Sequence, residues 1–258
     1  MPETGSDQTG TRGVRPGTAA YRGVMVLVQM AAAPSLFLQS VRVPQGWDDV
    51  GETTSSITRA RIFDSMARAV SERGYAAVTV SDVVTGARIS RRTFYEQFED
   101  KEHCFLETYR TGCENGIAQI DTSLRELENP DWRTRLSVSL ETYLRILAAE
   151  PHFARVLLID VLGAGSAALE ARERVLGDYV EHYRGLGERA RAEEPDLPAV
   201  PDAFVRGLVG GIAELVQHCL LESPATEVSD RLRALHPTLL SFAASVLTGG
   251  RENRSRAG

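Results

Sequence analysis

Arg91, Arg92, Thr93 and Tyr95 put two guanidinium groups, a hydroxyl and a phenol into a little over one helical turn. A guanidinium is a planar fork of donors that matches the paired acceptors of a guanine edge or a phosphate. A hydroxyl or phenol beside it donates to the same groups and fixes register along a nucleic-acid backbone. Thr79, Ser90 and Lys101 stand where helices begin, and a helix start offers free amides and the positive end of a dipole to phosphate. Nothing comparable points to bond-making chemistry. No Ser-His-Asp arrangement can be placed, no two carboxylates have a partner, and Gly163-Ala164-Gly165 and Gly210-Gly211 lack the strand that precedes a phosphate loop. The three cysteines, Cys104, Cys113 and Cys219, form no C-x-x-C and no His/Cys cluster at metal spacing. They read as buried thiols of a reducing compartment. No catalytic residue, cofactor or metal is therefore expected, and the chemistry on offer is recognition.

The elements that must carry these residues follow from spacing. Thr79-Val80-Ser81-Asp82 has the form S/T-x-x-D that opens a helix, with the hydroxyl on an orphan amide and the carboxylate in the first turn. Val80, Val83, Val84 and Ala87 then share one face. Ser90 is a second N-cap, and Phe94 and Phe98, four apart, give the next helix an aromatic inner side opposite its basic, hydroxyl-rich one. Upstream, Ile62, Met66, Ala69 and Val70 predict a helix over Ile57–Arg73, stopped by Gly74. Its apolar face should cover the inner sides of the two short helices. Thr58, Arg59 and Arg61 near its start either reach phosphate or stand in solvent. On pattern alone the run from Val78 to Val84 also fits a strand, and two arginines on a solvated helix need no ligand.

The segment resembles the TetR family of bacterial transcription regulators. The resemblance rests on Gly74-Tyr75, Thr79-Val80, Asp82-Val83, Ala87, Ile89-Ser90, Thr93-Phe94-Tyr95, Phe98 and Lys101-Glu102, at fixed spacing over about 45 residues from Ile57 to Lys101. One position departs: Arg88 stands where the family has its turn glycine. A left-handed non-glycine there costs about 1 kcal/mol, and Arg88 is either a changed turn or a further DNA contact. The resemblance implies an all-α fold, with a three-helix helix-turn-helix domain followed by a helical bundle for effector binding and dimerisation. It implies a double-stranded DNA operator as partner, with Thr93 and Tyr95 at positions that contact bases or backbone. It also implies that the last two helices of two subunits make a four-helix dimer interface, and that movement of the helix after the DNA-binding domain couples ligand to DNA release.

Charge supports this division. The chain carries a net charge of −6, yet residues 57–101 hold eight Lys/Arg against six Asp/Glu. The positive charge gathers where phosphate would be met. Domains are expected at 1–56 (a poorly ordered extension), 57–101 (DNA binding), 102–248 (effector binding and dimerisation) and 249–258 (a frayed tail). Val24–Leu38 is apolar but too short to span a bilayer. With Arg12, Arg15 and Arg22 ahead of it and Ala31-Ala32-Ala33 inside, it imitates a secretory signal. A DNA reader belongs in the cytoplasm, so the alternatives are a helical arm packed on the body or initiation further along, at Met25 or Met30. Gln45–Ser56 reads as a polar linker.

Beyond Asp100, apolar spacing predicts helices over Lys101–Leu127, Trp132–Ala149, His152–Leu162, 166–192, Asp202–Glu222 and Thr226–Leu247. Tyr143, Leu147, Phe153, Leu157, Tyr179 and Tyr183, with His152 and His182 nearby, would fall in the middle of this bundle. An aromatic, apolar cavity there suits a small hydrophobic effector, although such a stripe at helical spacing is more often plain core. Gly207, Gly210 and Gly211 cost about 1 kcal/mol each inside a helix. Close approach of a second helix, across a homodimer or within the chain, is the reason to keep them. The function expected is a DNA-binding regulator, a repressor released from a palindromic operator by a small ligand. The alternative is a ligand-independent regulator or activator with the same DNA-binding domain. An enzyme or lipid-type carrier built on the bundle would need a polar cluster that the chain lacks, and no membrane partner is expected.

Overall fold

The computed structural model describes Leu36 and residues 49–249. Among these, regular structure is all helical: α1 (Asp49–Arg73), a 3-10 turn (Tyr75–Ala77), α2 (Val80–Ala87), α3 (Arg91–Tyr95), α4 (Lys101–Arg125), α5 (Trp132–Ala149), α6 (Pro151–Leu158), a 3-10 turn (Asp160–Gly163), α7 (Ser166–Glu193), α8 (Asp202–Glu222), α9 (Val228–Ala234) and α10 (His236–Leu247). The fold is the expected all-α arrangement of a small N-terminal domain on a larger bundle. The expectations for residues 1–35, 37–48 and 250–258 lie outside the described residues.

Three boundaries differ from the periodicity, each for a local reason. α1 begins at Asp49, inside the expected linker and ahead of Ile57. The hydroxyl of Thr58 donates to the carbonyl of Thr54 one turn back, at 2.9 Å, which is how such residues continue a helix despite their turn preference. The helix expected over His152–Leu162 stops at Leu158 and tightens into the 3-10 turn ending at Gly163. The helix expected over Thr226–Leu247 is two helices, α9 and α10, which meet at Leu235 and His236. Pro237 lacks an N–H, and its ring would strike the carbonyl of Arg233 in a continuous helix.

Ile62, Met66 and Val70 of α1 are fully buried against Val83, Val84 and Ala87 of α2 and against Phe94 and Phe98. Each of these large side chains contributes about 1.5–3 kcal/mol on burial. α1 and α2 cross closely. A Cβ on Gly86 would lie 2.3 Å from the Ser65 hydroxyl, which itself donates to the carbonyl of Val83 at 2.9 Å. The same α1 packs on α6 of the bundle, where Ser71 Oγ and His152 Nδ1 are 2.7 Å apart. α4 therefore leaves a DNA-binding-sized domain already seated on the bundle. It runs on between α5 and α7, with Phe105, Tyr109, Cys113 and Ile120 buried along it. Among the described residues one helix, α8, is long and apolar enough to cross a membrane; its Val205, Leu208, Ile212, Val216 and Leu220 are buried in the bundle.

Candidate nucleic-acid interface and effector cavity

The helical hairpin is fixed at both of its starts. Thr79 and Asp82 form a reciprocal cap: Thr79 Oγ1 accepts from the Asp82 amide at 3.3 Å, and the Asp82 carboxylate accepts from the Thr79 amide at 2.8 Å and its hydroxyl at 2.7 Å. Arg73 of α1 closes on the other carboxylate oxygen at 3.0 Å. The Thr79 hydroxyl and amide, with Arg73 behind them, hold the Asp82 carboxyl down at about 2. At the turn, Arg88 is left-handed, with φ 54° and ψ 49°, and its amide bonds the carbonyls of Thr85 and Val84. The turn thus keeps the left-handed geometry that glycine would take without strain, and the exposed Arg88 side chain is carried on it.

In α3, Ser90 Oγ accepts from the Thr93 amide at 3.0 Å and lies 2.9 Å from the Thr93 hydroxyl. Phe94 and Phe98 are buried with ring centroids 5.5 Å apart, and Phe63 of α1 stands 5.8 Å from Phe98. This anchor leaves the opposite side open. Arg91 and Arg92 are exposed, and Tyr95 is 55% exposed while its ring meets Phe94 edge-on. Arg92 pairs with Glu96 at 2.9 Å. Such an exposed pair one turn apart is worth about 0.3–0.5 kcal/mol, so a phosphate or guanine displaces it easily. Arg91 forms no ion pair among the described residues. Of the four side chains singled out by spacing, Arg91, Arg92 and Tyr95 are exposed, and Thr93 is half-buried beside Ser90.

Three other basic residues turn inward. Lys101 donates to the carbonyls of Tyr75 and Val78, both at 3.0 Å, and lies 4.1 Å from the Tyr75 ring. Its ammonium thus ties α4 to the chain ahead of α2. Arg61 donates to the carbonyl of Ala87 at the end of α2. Arg59 lies over the Phe98 and Phe63 rings and pairs with Glu107 at 2.6 Å. Arg59 and Arg61, expected at phosphate or in solvent, serve the domain itself.

Within the bundle, α4, α5, α6, α7 and α8 surround a small cavity of about 40 Å³. Tyr143, Leu157, Tyr179 and Tyr183 line it as expected. Leu147 and Phe153 do not: both are buried elsewhere, Phe153 against Gly112 of α4. Periodicity alone does not show Tyr109 of α4, Arg172 of α7 or Ser139 of α5, which complete the wall. Burial raises the pKa of Tyr109, Tyr143, Tyr179 and Tyr183, and burial lowers that of His182, whose Nε2 lies 3.1 Å from Ser139 Oγ. All five groups are held neutral at neutral pH. An apolar ligand with a hydrogen-bonding end suits that lining, and Arg172 is its cationic member.

The α8 glycines divide. A Cβ on Gly211 would lie 2.8 Å from the Phe242 ring of α10, so close packing inside the chain accounts for that one. A Cβ on Gly207 or Gly210 would meet none of the described residues within 4 Å, and Phe204, one turn before Gly207, is 62% exposed. The sulfurs of Cys104 and Cys113 are buried, and burial pushes Cys104 up to about 12. Among the described residues no group of His, Cys, Asp and Glu could hold a metal.

The family model for bacterial regulatory proteins of the tetR family matches residues 62–108. That span takes in the two caps, the left-handed turn, the aromatic anchor and the first turns of α4. No curated protein matches the chain. Among solved structures, the fatty acid degradation regulator FadR from Bacillus halodurans is similar at 18% identity, with a TM-score of 0.65, over 75% of this chain and 96% of that one. The transcriptional regulator FadR from Bacillus subtilis, in complex with stearoyl-CoA, is similar at 17% identity, with a TM-score of 0.60, over 74% and 97%. The regulatory protein TetR from Rhodobacter sphaeroides has 17% identity and a TM-score of 0.57, over 72% and 98%. These likenesses extend the shared fold from the matched domain into the bundle. The match to bacterial regulatory proteins of the tetR family therefore lies in the helix-turn-helix DNA-binding domain, and the solved regulators share the all-helical body that follows it.

Proposed function

We propose that this regulator is a cytoplasmic homodimeric repressor, released from a palindromic DNA operator when a small apolar ligand enters the bundle. The observation that carries the reading is the surface of α3: Arg91, Arg92 and Tyr95 stand exposed on a helix whose other side is locked by Phe94 and Phe98. A short helix held this way enters a major groove as a rigid unit. Arg91 and Arg92 contact guanine or phosphate, Thr93 and Tyr95 contact the backbone, and the helix starts at Thr79, Ser90 and Lys101 approach phosphates. Two-fold pairing through the open face of α8, at Gly207, Gly210 and Phe204, together with α10, spaces two such helices about 34–36 Å apart.

The small size of the cavity supports the release step. A ligand larger than a water or two has to part the walls, and α4 contributes Tyr109 and Ile120 to those walls. Such a ligand therefore favours a conformation with α4 displaced, and a ligand shifts an equilibrium only through that kind of differential affinity. An acyl chain with a polar end fits an apolar lining that carries neutral phenols, and the Bacillus subtilis relative is described with stearoyl-CoA. The test is to footprint the protein on DNA flanking its own gene and to titrate the complex with long-chain acyl-CoA and with free fatty acid. Protection of an inverted repeat, relieved by one of these ligands, is expected. Protection that no apolar ligand relieves would leave the ligand-independent regulator.

A further inference from the structure

We infer that the junction between α4 and the α5–α6 corner is a docking site for peptide backbone, and that its occupant is this chain's own N-terminal segment at Leu36. Leu36 is 1% exposed and belongs to the continuous core. Its amide donates to Glu150 Oε1 at 2.9 Å, and its carbonyl accepts from Asn115 Nδ2 at 3.0 Å. Both polar groups of one residue are thus satisfied by two side chains far from it in sequence. A neighbouring strand satisfies a residue in the same way. Main-chain bonds of this kind give affinity for any polypeptide, and the side-chain pocket between them gives specificity, here for leucine.

The two side chains are otherwise poorly explained. Glu150 lies between α5 and α6, yet its carboxylate does not cap the start of α6. Among the described residues it has no ion pair, although Arg68 of α1 is near enough to oppose its protonation. Burial raises its pKa, and the Leu36 amide is the largest influence in the other direction. A carboxylate buried without a donor is costly, and Leu36 supplies that donor. Asn115 sits half-buried on α4, the helix that leaves the DNA-binding domain. One residue therefore ties α4 to the corner of the bundle, as a strap across the two parts that must separate for α4 to move. The docking itself does not rest on the proposed repressor function.

The test is amide hydrogen exchange on the full chain, read at Leu36. Leu36 should be protected about a hundredfold or more over an unstructured amide, with the same protection at all protein concentrations. Glu150→Gln keeps an oxygen acceptor and retains most of that protection. Glu150→Leu and Asn115→Leu lose at least about tenfold at Leu36 while α2 and α3 exchange as before. Leu36→Asp speeds exchange in α4 around Asn115. An unprotected Leu36 amide in the unaltered chain would overturn the docking, with no dependence on how any variant folds. Protection that grows with protein concentration would overturn the assignment of the occupant, because the segment would then come from a second copy.

Discussion

A Cβ on Gly112 of α4 would lie 2.3 Å from the ring of Phe153 of α6. The helix that links the two domains thus touches the bundle with no room for one methyl group. Phe153 is itself 2% exposed and packed in the core, so its ring has little freedom to retreat. Movement of α4 against α6 must begin by separating this pair.

Gly112→Ala should therefore overpack the junction. In an open helix the substitution would stabilise by up to about 1 kcal/mol; here it should cost about 1–3 kcal/mol in urea denaturation and alter operator affinity. A stabilised protein with unchanged DNA binding would show that the contact carries no strain.

The cap at Thr79 gives a stability prediction with a defined pH window. Thr79→Ala should cost about 1 kcal/mol. The Asp82 carboxyl is depressed from 3.8 to about 2 in the folded chain. A depressed carboxyl stabilises above its unfolded value, and that stability is lost as pH falls toward the folded one. Thermal melts between pH 4 and pH 2 should therefore fall more steeply for the natural chain than for Asp82→Asn. Parallel curves would mean that the cap is not ionic.

Arg88 separates strain from function. Arg88→Gly should raise stability by about 0.5–1 kcal/mol by relieving the left-handed backbone, while Arg88→Ala should not. If both lower DNA affinity alike, the guanidinium is a contact; if neither does, Arg88 is only a strained turn residue.

How far the sequence was legible depended on distance along the chain. The cap at Thr79 and Asp82, the second cap at Ser90 and the Phe94–Phe98 anchor are all local patterns, and the structure has each of them. Arg59, Arg61 and Lys101 were not legible. Spacing tells which side of a helix a residue leaves from, but long side chains bend along the surface to reach partners. The cavity was half legible for a related reason. Tyr143 and Tyr179 follow from their own helices, whereas Tyr109 and Arg172 face the same space only because α4 and α7 cross there. The burial of Leu36 against Asn115 and Glu150 is a long-range contact that no local period announces.

The open face of α8 predicts an assembly effect without a folding effect. A Cβ at Gly210 would meet nothing within 4 Å among the described residues. Gly210→Arg should leave the melting temperature of the subunit intact or slightly raised and halve the mass measured by light scattering. An unchanged dimer would move the subunit interface away from α8.

The most direct measurement is the affinity of the purified protein for the duplex upstream of its own gene, against a scrambled duplex, across a series of salt concentrations. Specific binding should be tighter by about a thousandfold or more and fall steeply with salt. Arg91→Ala and Arg92→Ala should each weaken it, by about 1–3 kcal/mol where the residue reads a base. Equal affinity for both duplexes, unmoved by either substitution, would contradict the reading of α3 as the surface that meets DNA.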